Sequence, residues 1–197
     1  MEHQDPSQQE QLVKPEKPKN EIWEWLKALA IAVVLAFIIR SFLFAPFVVD
    51  GTSMMPTLHD RERLIVTKLI YFIQQPSRGD VIVFHATQER DYIKRVIAVG
   101  GDKIEMRDDQ LYLNDQPIDE PYLEEYKLQA KAEGYPLTND FGPIDVPEGE
   151  IFVMGDNRRN SKDSRAIGTV PLESIVGRAD VVFWPLTDFR FPNKTDK

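Results

Sequence analysis

One apolar window constrains this chain more than any other feature: IWEWLKALAIAVVLAFIIRSFLFAPFVV, from Ile22 to Val49. Its uncharged core, Ala28 to Ile39, is 12 residues long. Lys27 and Arg40 can snorkel from its two ends, which widens the usable span to Leu26 through Phe44. Those 19 residues make roughly 28 Å of helix, close to the hydrocarbon thickness of a bilayer. Trp23 and Trp25 stand where an interfacial aromatic belt would lie. The window therefore predicts a single transmembrane anchor over 22–45. Two readings compete with it. A cleaved leader could use the small residues Ala45 and Gly51, but the stretch is long for one and Arg40 interrupts it. A buried core helix is the plainer alternative. Before the window, residues 1–21 are polar and carry Pro6, Pro15 and Pro18, which predicts a disordered tail. Lys14, Lys17 and Lys19 favour a cytoplasmic N-terminus, while Arg61 and Arg63 beyond the window weigh the other way.

The rest of the chain is unlike the window. With 28% charged residues and a mean hydropathy of -0.36, a polytopic membrane protein is excluded. At 197 residues, the chain makes one domain with room for a small insertion. Lys and Arg number 24 against 32 Asp and Glu, a net charge of -8 that leaves no excess cation for phosphates and argues against nucleic acid. The absence of cysteine excludes disulfides, thiolate metal sites and cysteine nucleophiles. Three histidines, His3, His59 and His85, argue against a histidine-rich metal site. No metal or cofactor is expected.

After Pro46, short apolar runs and period-two alternation predict strands at 62–69, 80–86, 91–99, 102–106, 110–113, 150–155 and 179–184. Turn signals separate them, at Gly100-Gly101 and Asn114-Asp115 for example. No helical pattern alternates with the strands, so the expected class is mostly β and antiparallel. The acidic stretch 119–145 holds one marginal helix, in EPYLEEYKLQAKAEG, and reads as an inserted cap over the β core, with outer limits of about 107–148.

Three clusters carry chemistry. Ser53 sits in DGTSMMPTL, between Gly51 and Pro56, where a tight segment can offer both its hydroxyl and its N–H to one carbonyl. The G-x-S-x-G nucleophile elbow is absent. For a base, His59 and His85 keep a Ser-His-Asp arrangement open. The other candidate is Lys94 in DYIKRVIAV, on a strand face shared with Tyr92, Val96 and Ala98. An exposed lysine titrates near 10.4 and is neutral in only about one molecule in a thousand at pH 7, so its use as a base requires burial. The third cluster is GDNRRNSKDSR, 155–165, a polar loop directly after an apolar strand.

Taken together and in order, the anchor, S-M-M-P-T, Y-I-K-R-V-I-A-V-G-G-D and G-D-N-R-x-N-S-x-D-S-R resemble type I bacterial signal peptidase, in the single-anchor form of Gram-positive bacteria. The resemblance spans about Ile22 to Trp184. It implies an antiparallel β-rich catalytic domain of that type over 46–197, with Ser53 as nucleophile and Lys94 as general base. It further implies that Ser161 orients the Lys94 amine and that Asp163 and Arg165 support the site. Phe47, Val49, Leu58, Tyr92 and Ile93 would line shallow pockets for small side chains. The Ser53 N–H would be one oxyanion donor. Many relatives carry a serine at the position of Gly51 as the second, and often a proline at the position of Asp50. The activity implied is removal of N-terminal signal peptides after small, A-x-A-like residues. Its implied partners are signal-peptide-bearing preproteins, the lipid bilayer and the secretion translocon, and its implied place is the cytoplasmic membrane, with the catalytic domain outside. The alternative from another class is a catalytically silent, membrane-anchored peptide-binding or secretion-scaffold protein.

Overall fold

The computed structural model describes residues 21–39 and 43–193. The predicted tail, apart from Glu21, and residues 40–42 of the predicted anchor lie outside them. The chain divides into two units, one up to Phe37 and one from Ile38 onward.

Glu21–Ile38 forms helix α1, which lies in the first unit up to Phe37. Its apolar side chains, Leu29, Ile31, Val33, Val34, Leu35 and Phe37 among them, are exposed. Among the described residues no helix is long and apolar enough to cross a membrane. The reason is visible in the sequence: α1 has 18 residues, but Glu21, Glu24 and Lys27 occupy its first two turns. The predicted span through Phe44 also differs from the structure at its far end. Phe44 and Ala45 belong to strand β1 (Phe44–Val48), where Phe44 lies opposite Thr67 and burial alternates with period two.

The second unit is antiparallel β, as its alternation predicts. Its elements are β1, β2 (Arg63–Thr67), a single turn α2 (Ile70–Ile73), β3 (Val81–His85), β4 (Asp91–Val99), β5 (Lys103–Arg107), β6 (Gln110–Leu113), β7 (Gln116–Ile118), α3 (Glu124–Ala132), β8 (Phe141–Asp145), β9 (Glu150–Met154), α4 (Ser164–Ile167), β10 (Val170–Pro171) and β11 (Ile175–Trp184). Seven strands form one sheet in the order β1-β2-β11-β3-β4-β9-β10, and four form a second in the order β7-β6-β5-β8. The marginal helix of the acidic stretch is real, and forms α3 behind one turn of 3-10 helix at Pro121–Leu123.

Period two explains the layers. Val81 and Val83 of β3 pack with Val49, Met54, Leu58, Leu64, Val66, Ala179 and Val182, whereas Ile82 and Phe84 pack with Val96, Ile151, Val153 and Val170. A third cluster, including Ile104, Met106, Leu111, Leu113, Phe152 and Met154, joins residues of both sheets. Strand β4 lies between β3 and β9 in the larger sheet and is buried without interruption from Lys94 to Ala98. That unbroken burial converts a charged pair, Lys94-Arg95, into interior groups. Register then sets what they meet. Arg95 lies opposite Met154 of β9, so the loop that starts at Gly155 leaves the sheet beside Lys94.

Candidate active site

The backbone after β1 continues its pairing, with Val49 N–H donating to the Glu62 carbonyl at 2.8 Å, and then turns through 50–61. Met54 and Leu58 plug this loop into the core. Arg190, after β11, clamps it from outside. Its Nη2 donates to the Thr57 carbonyl at 2.7 Å, and its guanidinium holds the buried Glu62 carboxylate at 2.7 and 2.9 Å. Between these anchors Ser53 is presented to β4.

Lys94 Nζ lies 2.8 Å from Ser53 Oγ and also donates to the Ile93 carbonyl at 2.8 Å. Only 4% of the lysine is exposed. Burial pushes its pKa down to about 8, against the opposing pull of Asp163 and Asp156. Both requirements for a lysine base, contact with the hydroxyl and loss of hydration, are met at one residue.

The polar loop surrounds the nucleophile from behind. Asn157 N–H donates to the Ser53 carbonyl at 3.0 Å, its Nδ2 to the Thr52 carbonyl at 3.0 Å, and Asn160 Nδ2 to Thr52 Oγ1 at 3.0 Å. Position 155 admits only glycine, because a Cβ there would overlap the Ser53 carbonyl and the Ser161 side chain. Asp163 is fully buried and accepts from Gly155 N–H at 2.9 Å and from Arg165 Nε and Nη2 at 2.8 Å each. Burial alone would raise its pKa, but Arg165 and the Gly155 amide hold it below the usual carboxylate range. Ser161 Oγ is near enough to Asp163 to favour the carboxylate. It sits against Gly155, buried, without hydrogen-bonding geometry to any partner, and is not hydrogen-bonded to Lys94.

A cleft of about 280 Å³ opens beside the Ser53–Lys94 pair, and Phe47, Val49, Tyr92 and Ile93 line it as the sequence suggests. Val48, Asp50, Met54, Asp91 and Lys162 line it too. Leu58 does not: it is fully buried in the core beneath. A larger cavity of about 830 Å³ lies at α3 and contains neither Ser53 nor Lys94. His59 and His85 stand apart. His59 pairs with Glu62 at 3.5 Å and His85 with Asp91 at 2.6 Å, both rings more than half exposed, and neither is hydrogen-bonded to Ser53.

A family profile described as signal peptidase, peptidase S26, matches residues 22–184. The chain belongs to this family. Signal peptidase I of Bacillus amyloliquefaciens is 50% identical over 173 residues, 87% of this chain and 93% of that protein. Signal peptidase I S of Bacillus subtilis (strain 168) is 50% identical over 177 residues, 89% and 96% of the two chains. A crystal structure of a signal peptidase I from Enterococcus faecalis V583 matches with a TM-score of 0.50 at 36% identity, covering 54% of this chain and 97% of that one. The chain is thus an S26 peptidase, and the mostly antiparallel second unit carries that family's fold.

Sequence reasoning missed several side chains that hold this peptidase site together. Arg95 donates to both Asp156 oxygens, at 2.9 and 2.6 Å, in a fully buried pair, and Thr57 Oγ1 joins the same carboxylate. Arg158 and Glu120 form a second buried pair. Arg95 had a readable signal: two adjacent cations in an otherwise apolar strand oblige at least one buried charge to find a partner. Glu120 and Arg190 had none.

Proposed function

We propose that this chain is a Ser/Lys endopeptidase that removes signal peptides from exported preproteins after small residues, with Ser53 as nucleophile and Lys94 as general base. The observation that carries it is the 2.8 Å contact between Ser53 Oγ and a buried lysine amine. Neutral Lys94 takes the Ser53 proton as Oγ attacks the scissile carbonyl carbon. The resulting ammonium returns that proton to the leaving amine as the C–N bond breaks. The mature chain departs, leaving an ester on Ser53. Lys94 then removes a proton from water, which hydrolyses the ester and regenerates both groups. Ser53 N–H serves the oxyanion. The Gly51 N–H is engaged by Asp60 Oδ1 at 2.8 Å and is not spare for the second donor. The small cleft suits small substrate side chains.

In the same reading α1 and the residues after it anchor the chain in the cytoplasmic membrane, N-terminus inside and catalytic unit outside. A helix whose stretch from Ala28 onward is wholly apolar, with its large side chains exposed, calls for an apolar surrounding. The anchor is taken to end before Phe44, with the catalytic unit beginning at β1. Lipid and the secretion translocon are then its neighbours.

The test is cleavage of a purified preprotein with an A-x-A site by the full chain, with Ser53→Ala alongside. The expected result is a single cut after the last small residue, absent in Ser53→Ala. Wild-type silence despite measurable peptide binding would overturn the reading in favour of a secretion scaffold. An inactive His59→Ala/His85→Ala double variant would return the histidine triad.

The pH dependence has a definite sign. Only neutral Lys94 can accept a proton, so the rate should rise with pH through about 8 and level off above it. Asp163 favours the charged amine. Asp163→Asn should therefore move the rising limb to lower pH. A limb that stays in place or moves up would show that Asp163 does not act on Lys94.

A further inference from the structure

We propose that Glu120, in the segment joining β7 to α3, is a positioning residue for the Ser53 nucleophile and acts through Arg158. This rests on the Ser/Lys reading and assigns the acidic insertion a part in it. Arg158 Nη2 meets Glu120 Oε1 at 2.6 Å, 38 residues apart in sequence, with side chains 0% and 1% exposed. Burial would push the Glu120 carboxyl up, but Arg158, and Lys127 at 3.1 Å, hold it below the usual range, so the pair is ionic.

The rest of Arg158 faces the catalytic loop. Its Nε donates to the Gly155 carbonyl at 3.1 Å, and its backbone N–H to the Asp156 carbonyl at 2.9 Å. Asn157, between those residues and Arg158, is the one whose N–H holds the Ser53 carbonyl. Gly155 packs so near that carbonyl that a Cβ at this position would overlap it. A shift of the Arg158 guanidinium therefore reaches Ser53 through the Gly155 carbonyl and the Asn157 amide, two residues apart.

Tyr122 closes the arrangement. Its hydroxyl donates to Glu120 Oε1 at 3.1 Å and accepts from Arg158 Nη2 at 3.2 Å. Its ring lies 4.1 Å from the Arg95 guanidinium, whose carboxylate partner is Asp156. Two side chains of the insertion thus back the start of the loop, at Gly155–Arg158. A buried ion pair is a poor source of stability beside apolar groups of the same volume, but it does fix one relative position of two segments.

The experiment is steady-state and single-turnover cleavage of a preprotein by the full chain, at a temperature where circular dichroism shows every variant folded. Glu120→Gln should lower kcat about 10- to 100-fold with KM within about twofold, because a misplaced nucleophile binds substrate but attacks it slowly. The double variant Glu120→Leu/Arg158→Met separates positioning from stability. With no buried charge left, its melting temperature should recover toward wild type while kcat stays low, since the bond to the Gly155 carbonyl is gone. Wild-type kcat in Glu120→Gln overturns the proposal. So does a double variant in which kcat recovers together with the melting temperature. Residual cleavage by Ser53→Ala would instead overturn the Ser/Lys reading itself.

Discussion

Lys94→Arg is expected to be as inactive as Lys94→Ala, each losing about 10⁴-fold or more in kcat/KM, the scale on which removing a nucleophile's base acts in serine hydrolases. The two substitutions differ in charge and volume but share one defect. A guanidinium stays protonated at any assay pH, so it cannot accept the Ser53 proton however well it is placed. A structural or purely electrostatic lysine would behave differently. If the amine mattered only as a cation near the cleft, arginine would substitute for it and keep much of the rate. Single-turnover cleavage of a preprotein, with circular dichroism to verify folding, separates the cases. Retention of even a tenth of wild-type kcat/KM by Lys94→Arg would end the case for a lysine base. Raising the pH should not rescue either variant, whereas it should speed the wild type up to its plateau above about pH 8.

Asp156→Ala is expected to be the most damaging single change to stability. It leaves the Arg95 guanidinium, 3% exposed, without its carboxylate, and the Thr57 hydroxyl without its acceptor. Breaking one side of a buried pair costs about 3–5 kcal/mol. For a chain of this size, about 2–4 °C in melting temperature follows each kcal/mol, so the fall should be roughly 6–20 °C. Replacing both partners, as in Arg95→Met/Asp156→Leu, should recover part of that loss because no buried charge remains. The check is thermal unfolding followed by circular dichroism. A single variant melting within about 2 °C of wild type would mean that water reaches the Arg95 guanidinium.

The strands with an alternating pattern or a short apolar run were legible, and 91–99 and 110–113 form over the residues predicted for them. β1 was not. FAPFV continues the anchor's apolar composition, which gives helix and short strand the same signature, and Pro46 argues against a strand unless that strand lies at an edge. β8 was hidden in the same way by Gly142 and Pro143. Ser53 and Lys94 were legible as residue types, while their contact was not. It depends on the register of β4 with β9 and on the anchoring of the 50–61 loop, both set by partners far along the chain. Least legible was the Glu120–Arg158 pair. One partner comes from a stretch that reads as acidic surface and the other from a loop that reads as polar surface, and only the folded chain shows that each is the other's counterion.

The Arg190 clamp carries a consequence for biogenesis. The Thr57 carbonyl, four residues past the nucleophile, is held by a guanidinium 133 positions later. Synthesis runs from the N-terminus at about 5–20 residues per second. The nucleophile loop is therefore made well before the residue that supplies this restraint. The nascent protein carries its serine for seconds before this strap exists.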